Sequence, residues 1–247
     1  MTMFLLFILY AVALSIALAL LGYRSGVARS SDEPLPSPTR ILVVGATGGT
    51  GRQLVAHALE RGFWVTALVR NPSKLRLDHQ RLTVLEGDVL DPGSIDTAMR
   101  GQEAVVSALG HRRYFYPTRI QSDGTKNVLH AMERHGVRRF VCMSSLGIGD
   151  SVGRLGLIYT LFVIPVILPF YFWDKTRQEK AIAASGVGWT VVRPGALTNR
   201  RKRGRVRQGA RVGNFIWTVS VPRADVAEFM IDQLTSSTYL RTAVGVA

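Results

Sequence analysis

Seven residues carry the clearest chemistry in this chain: Gly45-Ala46-Thr47-Gly48-Gly49-Thr50-Gly51. Three glycines at a spacing of three follow the apolar run Ile41–Val44 and open a helical stretch. That placement predicts a loop that wraps a diphosphate. The first glycine permits the tight turn, the second lets backbone approach the phosphates, and the third lets helix pack on strand. The diphosphate then meets free N–H groups and the positive end of the helix dipole. A glycine triplet alone is weak evidence, but one set between the first strand and first helix of a βαβ series is strong. Gly45, Thr47, Gly48, Gly49, Thr50 and Gly51 are therefore assigned to a dinucleotide.

The end of the next apolar run indicates which dinucleotide. An acidic residue there would bind the ribose 2′-hydroxyl of NAD, whereas arginine accommodates the 2′-phosphate of NADP. The run reads Ala67-Leu68-Val69-Arg70-Asn71-Pro72-Ser73-Lys74. Arg70 stands where the acid would be and Lys74 lies close by, so NADPH is expected ahead of NAD. The competing reading of Arg70 is a solvated surface arginine.

These residues need a scaffold, and the chain's 247 residues are enough to bury one. Strand-length apolar runs alternate with helical stretches from Ile41 onward, the pattern of a doubly wound parallel sheet of Rossmann type. The runs are Ile41–Val44, Phe63–Val69, Leu82–Leu85, Ala104–Leu109, Arg139–Met143, Trp189–Val192 and Ala243–Val246. They are continuously apolar, as strands covered on both faces should be. Helices are expected at Gly51–Arg61, Pro92–Arg100, Ser122–His135, Lys175–Ser185 and Arg223–Leu234. The single cysteine, Cys142, sits in a strand run, which excludes a disulfide framework. No metal site is assigned.

Met1 to Tyr23 carries no charged side chain, and roughly 20 helical residues span a hydrocarbon core of about 30 Å. No basic residue precedes this run, while Arg24 and Arg29 follow it, which favours an uncleaved anchor over a signal peptide. Positive charge on that flank places the remainder in the cytoplasm. The expected organisation is a transmembrane anchor over 1–23, a Pro/Ser-rich linker over 24–39 and a Rossmann domain over 40–247.

At this point the chain resembles the atypical or extended short-chain dehydrogenase/reductases, in particular their NmrA-like, NAD(P)H-binding branch. The resemblance rests on the glycine loop, Val69-Arg70-Asn71-Pro72, Glu86-Gly87-Asp88, Ser107-Ala108-Leu109-Gly110, Gly124-Thr125-Lys126-Asn127, Met143-Ser144-Ser145 and Trp189 to Gly195. It implies that Asp88 faces the adenine, that Ser107, Ala108 and Leu109 line the cofactor with Pro194 also near it, and that Ser144 or Ser145 faces the nicotinamide. Active members of the wider superfamily use a Tyr-x-x-x-Lys pair. Tyr171 and Lys175 have that spacing, with Lys175 a contact to the cofactor and Tyr171 a proton donor, and Ser144 or Ser145 joins them as a catalytic candidate in the proton relay. On a helix the two would share a face. Against this, Pro169 upstream and Asp174 as an N-cap predict a helix that begins only at Lys175, leaving Tyr171 in the apolar segment before it.

Leu155 to Trp173 is a second uncharged block, an insertion in the domain. Pro165 and Pro169 argue against one straight helix. It is expected to be a substrate lid, a segment dipping into the bilayer surface, or a buried packing element. Residues 200–211 are the densest basic run, in a chain of net charge +14. Attraction to anionic lipid is its expected role. Nucleic acid is disfavoured, because no recognition motif accompanies the run. The function expected is an NADPH-dependent reduction of an apolar acceptor at the membrane. The alternatives are a redox-inert NADP-binding sensor or assembly factor, and an isomerase or epimerase that holds NAD.

Overall fold

The computed structural model describes residues 2–22, 37–111 and 114–247. Arg24, Arg29 and the linker up to residue 36 lie outside the described residues.

Seven strands form a parallel sheet in the order β3-β2-β1-β4-β5-β6-β10. They are β1 (Arg40–Val44), β2 (Trp64–Val69), β3 (Leu82–Glu86), β4 (Ala104–Ser107), β5 (Arg139–Met143), β6 (Gly188–Pro194) and β10 (Thr242–Val246). Every apolar run read from the sequence is one of them. Short β8 (Gln208–Gly209) adds an antiparallel edge on β10, and β7 (Ala196–Thr198) pairs separately with β9 (Ser220–Pro222). The chain runs outward from β1 to β2 and β3, then returns to start β4 on the other side of β1. This reversal leaves a crevice beyond the carboxyl ends of β1 and β4, where open α/β sheets bind ligands.

Helices cover both faces. Helices α2 (Gly49–Glu60) and α6 (Arg223–Asp232) pack together on one face, while α3 (Pro92–Met99), α4 (Ile120–His135) and α5 (Pro169–Ala183) cover the other. Each face has its own apolar core, centred on Ile41 and Val43 on one side and Leu42 and Val44 on the other. That alternation is the period-two geometry of a strand buried on both faces.

A third apolar cluster lies outside the sheet. It joins Leu146, Ile148, Leu155, Ile164 and Phe172 to Leu18 of the N-terminal helix α1 (Thr2–Leu21). Helix α1 is long and apolar enough to cross a membrane by length and composition, near the N-terminus as an anchor or a signal sequence would be. It does not stand apart from the domain. Ala11 and Leu18 are buried and Phe7 and Leu14 half-buried, a stripe at helical spacing turned toward the insertion.

The insertion breaks where its prolines predict. Residues Tyr159–Ile167 form a π-helix with Pro165 inside it, and the turn ends at Leu168. Proline has no N–H to donate, so it interrupts the α-helical ladder, and π-turns accommodate such interruptions. Pro169 then opens α5 in the first helical turn, where a missing N–H costs nothing. This corrects the expected start at Lys175: α5 begins six residues earlier and includes Tyr171. Asp174 is a cap, but for a different helix. Its carboxylate accepts the backbone N–H groups of Gln121 (2.9 Å) and Ser122 (3.1 Å), serving the first turn of α4, whose own N-cap Arg119 makes no side-chain cap bond.

Candidate functional site

A cleft of ≈ 980 Å³ opens at the switch point. Its wall includes Gly45, Thr47, Gly48, Gly49, Thr50, Arg70, Lys74, Asp88, Ala108 and Leu109, all singled out in the sequence. The three glycines of the motif divide their work as the spacing predicts. Gly45 has φ +81°, and a Cβ there would stand 2.6 Å from the Ala108 carbonyl oxygen. A Cβ on Gly51 would stand 2.0 Å from the Gly45 carbonyl oxygen, so this residue packs helix on turn and faces away from the cleft. A Cβ on Gly48 would meet only the Gly45 oxygen, at 3.3 Å, and otherwise open space. Gly48 is also the N-cap of α2 and makes no side-chain cap bond. Unclaimed N–H groups at a helix start beside an open face suit a diphosphate.

Basic side chains gather around this loop. Arg70 directly follows β2, and Asn71 caps the 3₁₀ turn that carries Lys74. Arg52, on the first turn of α2, donates to the Lys74 carbonyl oxygen at 3.1 Å and lines the cleft with both. Arg223 also lines it. Its side chain crosses Gly49 and donates to Asn199 Oδ1 at 3.0 Å. The sequence reading missed Arg52 and Arg223. Arg52 was legible, because it directly follows the motif. Arg223 was not, because it lies far downstream in the chain from the Gly49 it covers. Asp88 accepts the Leu90 N–H at 3.0 Å, which fixes its carboxylate at the rim.

Ser107, Ser144, Ser145, Tyr171, Lys175, Gly51 and Pro194 are not on the cleft wall; some form a layer beneath it. Lys175 is fully buried, and its Nζ donates to the carbonyl oxygens of Met143 (2.8 Å) and Leu109 (3.5 Å) and to Gln178 Oε1 (3.2 Å). Met143 and Leu109 are themselves cleft residues, so the ammonium sits one layer behind the wall. Burial lowers its pKa, with Cys142, Glu179 and Asp174 opposing that shift. Tyr171 lies one turn earlier on the same helix face, its ring 5.7 Å from Lys175 Nζ. It packs against His111 with ring centroids 5.2 Å apart, and edge-on against Tyr114 at 6.1 Å. Burial pushes the Tyr171 phenol well above its usual pKa, and Tyr114 and Asp174 add to this.

The next residue on that face, Glu179, holds a buried polar network. It accepts Ser144 Oγ–H at 2.5 Å and takes Arg193 in a two-pronged pair at 3.0 and 2.7 Å. Arg193 also reaches Asp150. Paired and hydrogen-bonded, these charges tolerate burial. Ser144 is thereby oriented by Glu179, whereas half-buried Ser145 donates to the Leu146 carbonyl oxygen. Ser107 is fully buried at the end of β4, and Pro194 closes β6 beside Val246. Among the described residues there is no cluster of metal-ligating side chains.

Comparison with known proteins agrees with this geometry. The NAD(P)H-binding family model matches residues 45–237. An uncharacterized chloroplastic protein of Arabidopsis thaliana is 31% identical over 208 residues, covering 79% of this chain and 71% of its own. Protein TIC 62, chloroplastic, of Pisum sativum is 30% identical over 207 residues, which is 70% of this chain but only 37% of that protein's length. Among solved structures, a wide-type short-chain dehydrogenase/reductase of Veillonella parvula in complex with NADP superposes with a TM-score of 0.70. It is 21% identical, covering 85% of this chain and 95% of that one, a likeness of fold.

Proposed function

The chain belongs to the NAD(P)H-binding family, and on that premise we propose that it is an NADPH-dependent oxidoreductase. In this reading α1 holds it at a membrane, with the domain on the cytoplasmic side, and its substrate is an apolar acceptor such as a quinone, a flavin or a lipid-derived carbonyl. One observation carries the reading. A single cleft joins an open glycine loop, a ring of basic side chains at one end, and at the other the wall behind which Lys175 and Tyr171 lie.

A bound NADPH supplies hydride, and the residues of this chain do the rest. Gly48 and the free N–H groups of α2 receive the diphosphate, with Arg223 facing it from across Gly49. Arg70, Arg52 and Lys74 favour a 2′-phosphate. Asp88 orients the adenosine side. Lys175 stiffens the Met143 and Leu109 backbone at the inner end, and Ser144, held by Glu179, is positioned as a polar contact there. Consumption of NADPH by the full-length protein with a panel of quinones, flavins and lipid aldehydes tests the reading. Oxidation with none of them would end it.

The Tyr171 environment favours a second reading. A phenol whose pKa is raised by burial is a poor proton donor at neutral pH, and the lysine beside it is tied to carbonyl groups. A redox-inert NADP-binding sensor or assembly factor needs neither group to be reactive. Quinone or flavin reduction also survives an inactive tyrosine, because those acceptors take their proton from water.

A further inference from the structure

Beside α1, the insertion and a distant loop build one continuous apolar platform. We propose that through it the domain docks face-on onto an anionic lipid bilayer, with Arg154 and Arg211 at headgroup level. The proposal rests on α1 inserting in the membrane and goes beyond it, because it puts part of the folded domain in the lipid too.

The argument starts from α1 itself. Phe7 stacks on Phe162 of the π-helix with ring centroids 5.5 Å apart, and Tyr10 Oη donates to the Pro165 carbonyl oxygen at 3.3 Å. The two helices therefore lie side by side, and a bilayer around α1 reaches the π-helix as well. The outer face here carries Ile158 (65% exposed), just before the π-helix, and Phe162 (51%) and Val166 (51%) within it, at spacings of four. The same exposure continues onto α5 with Phe170 and Trp173, at helical spacing of three. No charged residue occurs between Arg154 and Asp174.

A second segment extends the platform from elsewhere in the chain. Phe215, Ile216 and Trp217 are 59%, 59% and 74% exposed. They are held in that position: Asn214 Oδ1 accepts the N–H groups of both Ile216 and Trp217 at 2.8 Å, and Leu157 N–H donates to the Ile216 carbonyl oxygen. A braced turn that shows three large apolar side chains to solvent is costly unless something apolar covers it. Tryptophan at such an edge suits the interfacial region of a bilayer.

Charge identifies the occupant. The Arg154 guanidinium lies 5.4 Å over the Phe215 ring, and its Nη1 donates to the Arg211 carbonyl oxygen at 2.9 Å. The Arg154 guanidinium thus covers the aromatic edge and ties it to the backbone of Arg211, at the end of the basic run. Apolar side chains below a rim of arginine match acyl chains below anionic headgroups.

The test uses the full chain in vesicles of phosphatidylcholine and phosphatidylglycerol whose acyl chains carry bromine, a short-range quencher of tryptophan. Four tryptophans are present: Trp64, Trp173, Trp189 and Trp217. The expected result is quenched emission that is lost in Trp173→Phe/Trp217→Phe, with both forms floating with the vesicles. A chain that floats with Trp173 and Trp217 unquenched overturns the docking and leaves the anchor standing, the result expected if a protein partner covers this face. A chain that does not float overturns anchor and docking together. Equal quenching in purely zwitterionic vesicles overturns the role of Arg154 and Arg211.

Discussion

Arg223 lies across Gly49: its Nε is 2.7 Å, and its Cδ 2.8 Å, from the point where a Cβ at position 49 would stand. A residue from the start of α6 therefore roofs the loop at the start of α2, and the absent side chain at 49 makes room for it. Arg223→Ala is expected to weaken NADPH binding roughly 10- to 100-fold, the range of a charge-assisted hydrogen bond of about 1.5–3 kcal/mol. Calorimetric titration measures this, and unchanged affinity would mean that Arg223 serves only Asn199.

Gly48→Val is expected to abolish dinucleotide binding while the fold survives, since a side chain there meets little but open cleft. Thermal shift with added NADPH reports it directly. Gly51→Ala behaves oppositely and destabilises the free protein, because its Cβ would collide with the Gly45 carbonyl group.

Arg70→Ala is expected to reduce NADPH affinity while leaving NADH nearly untouched, narrowing any preference between the two. Arg52 lines the same end of the cleft, so Arg52→Ala/Arg70→Ala should erase the preference altogether. Equal binding of both cofactors by the unaltered protein would reject a 2′-phosphate site.

Cys142 is fully buried in β5, and burial pushes its thiol pKa up to about 12 from an ordinary 9.0. Folded protein at pH 8 is therefore expected to resist alkylation that proceeds readily in denaturant. The sign for stability follows. Between pH 9 and 12 the unfolded chain releases this proton before the folded one does, so stability present below pH 9 is lost as pH rises through that window. Cys142→Ala should flatten this part of the stability profile.

Tyr171→Phe is expected to leave NADPH binding intact, and turnover of a quinone as well if the tyrosine only packs behind the wall against His111 and Tyr114. Lys175→Ala should instead destabilise the fold, because it empties a fully buried site and leaves the Met143 carbonyl oxygen without that donor. A soluble, stable Lys175→Ala with lowered cofactor affinity alone would assign the lysine to the ligand.

Much of this protein was decided locally, and the sequence is legible where that holds. A continuously apolar run such as Arg139–Met143 is a strand because burial on both faces admits little else, and all seven runs became parallel strands. The glycine loop was legible for the same reason: its turn, its open face and its packing contact all fall within seven residues. What only tertiary structure decided involves partners far apart in the chain. Asp174 looked like the cap of its own helix, yet its lone pairs are taken by N–H groups more than fifty residues upstream, while α5 itself opens at Pro169. Arg223 reaches Gly49 only because α6 packs on α2. Helix α1 read only as a transmembrane anchor, because uniform apolarity hides any preferred face. Its stripe of Phe7, Ala11, Leu14 and Leu18 acquires meaning only once the π-helix supplies the surface it covers. Local sequence sets backbone geometry and burial; which distant donor, ring or guanidinium completes a site depends on how the finished layers meet.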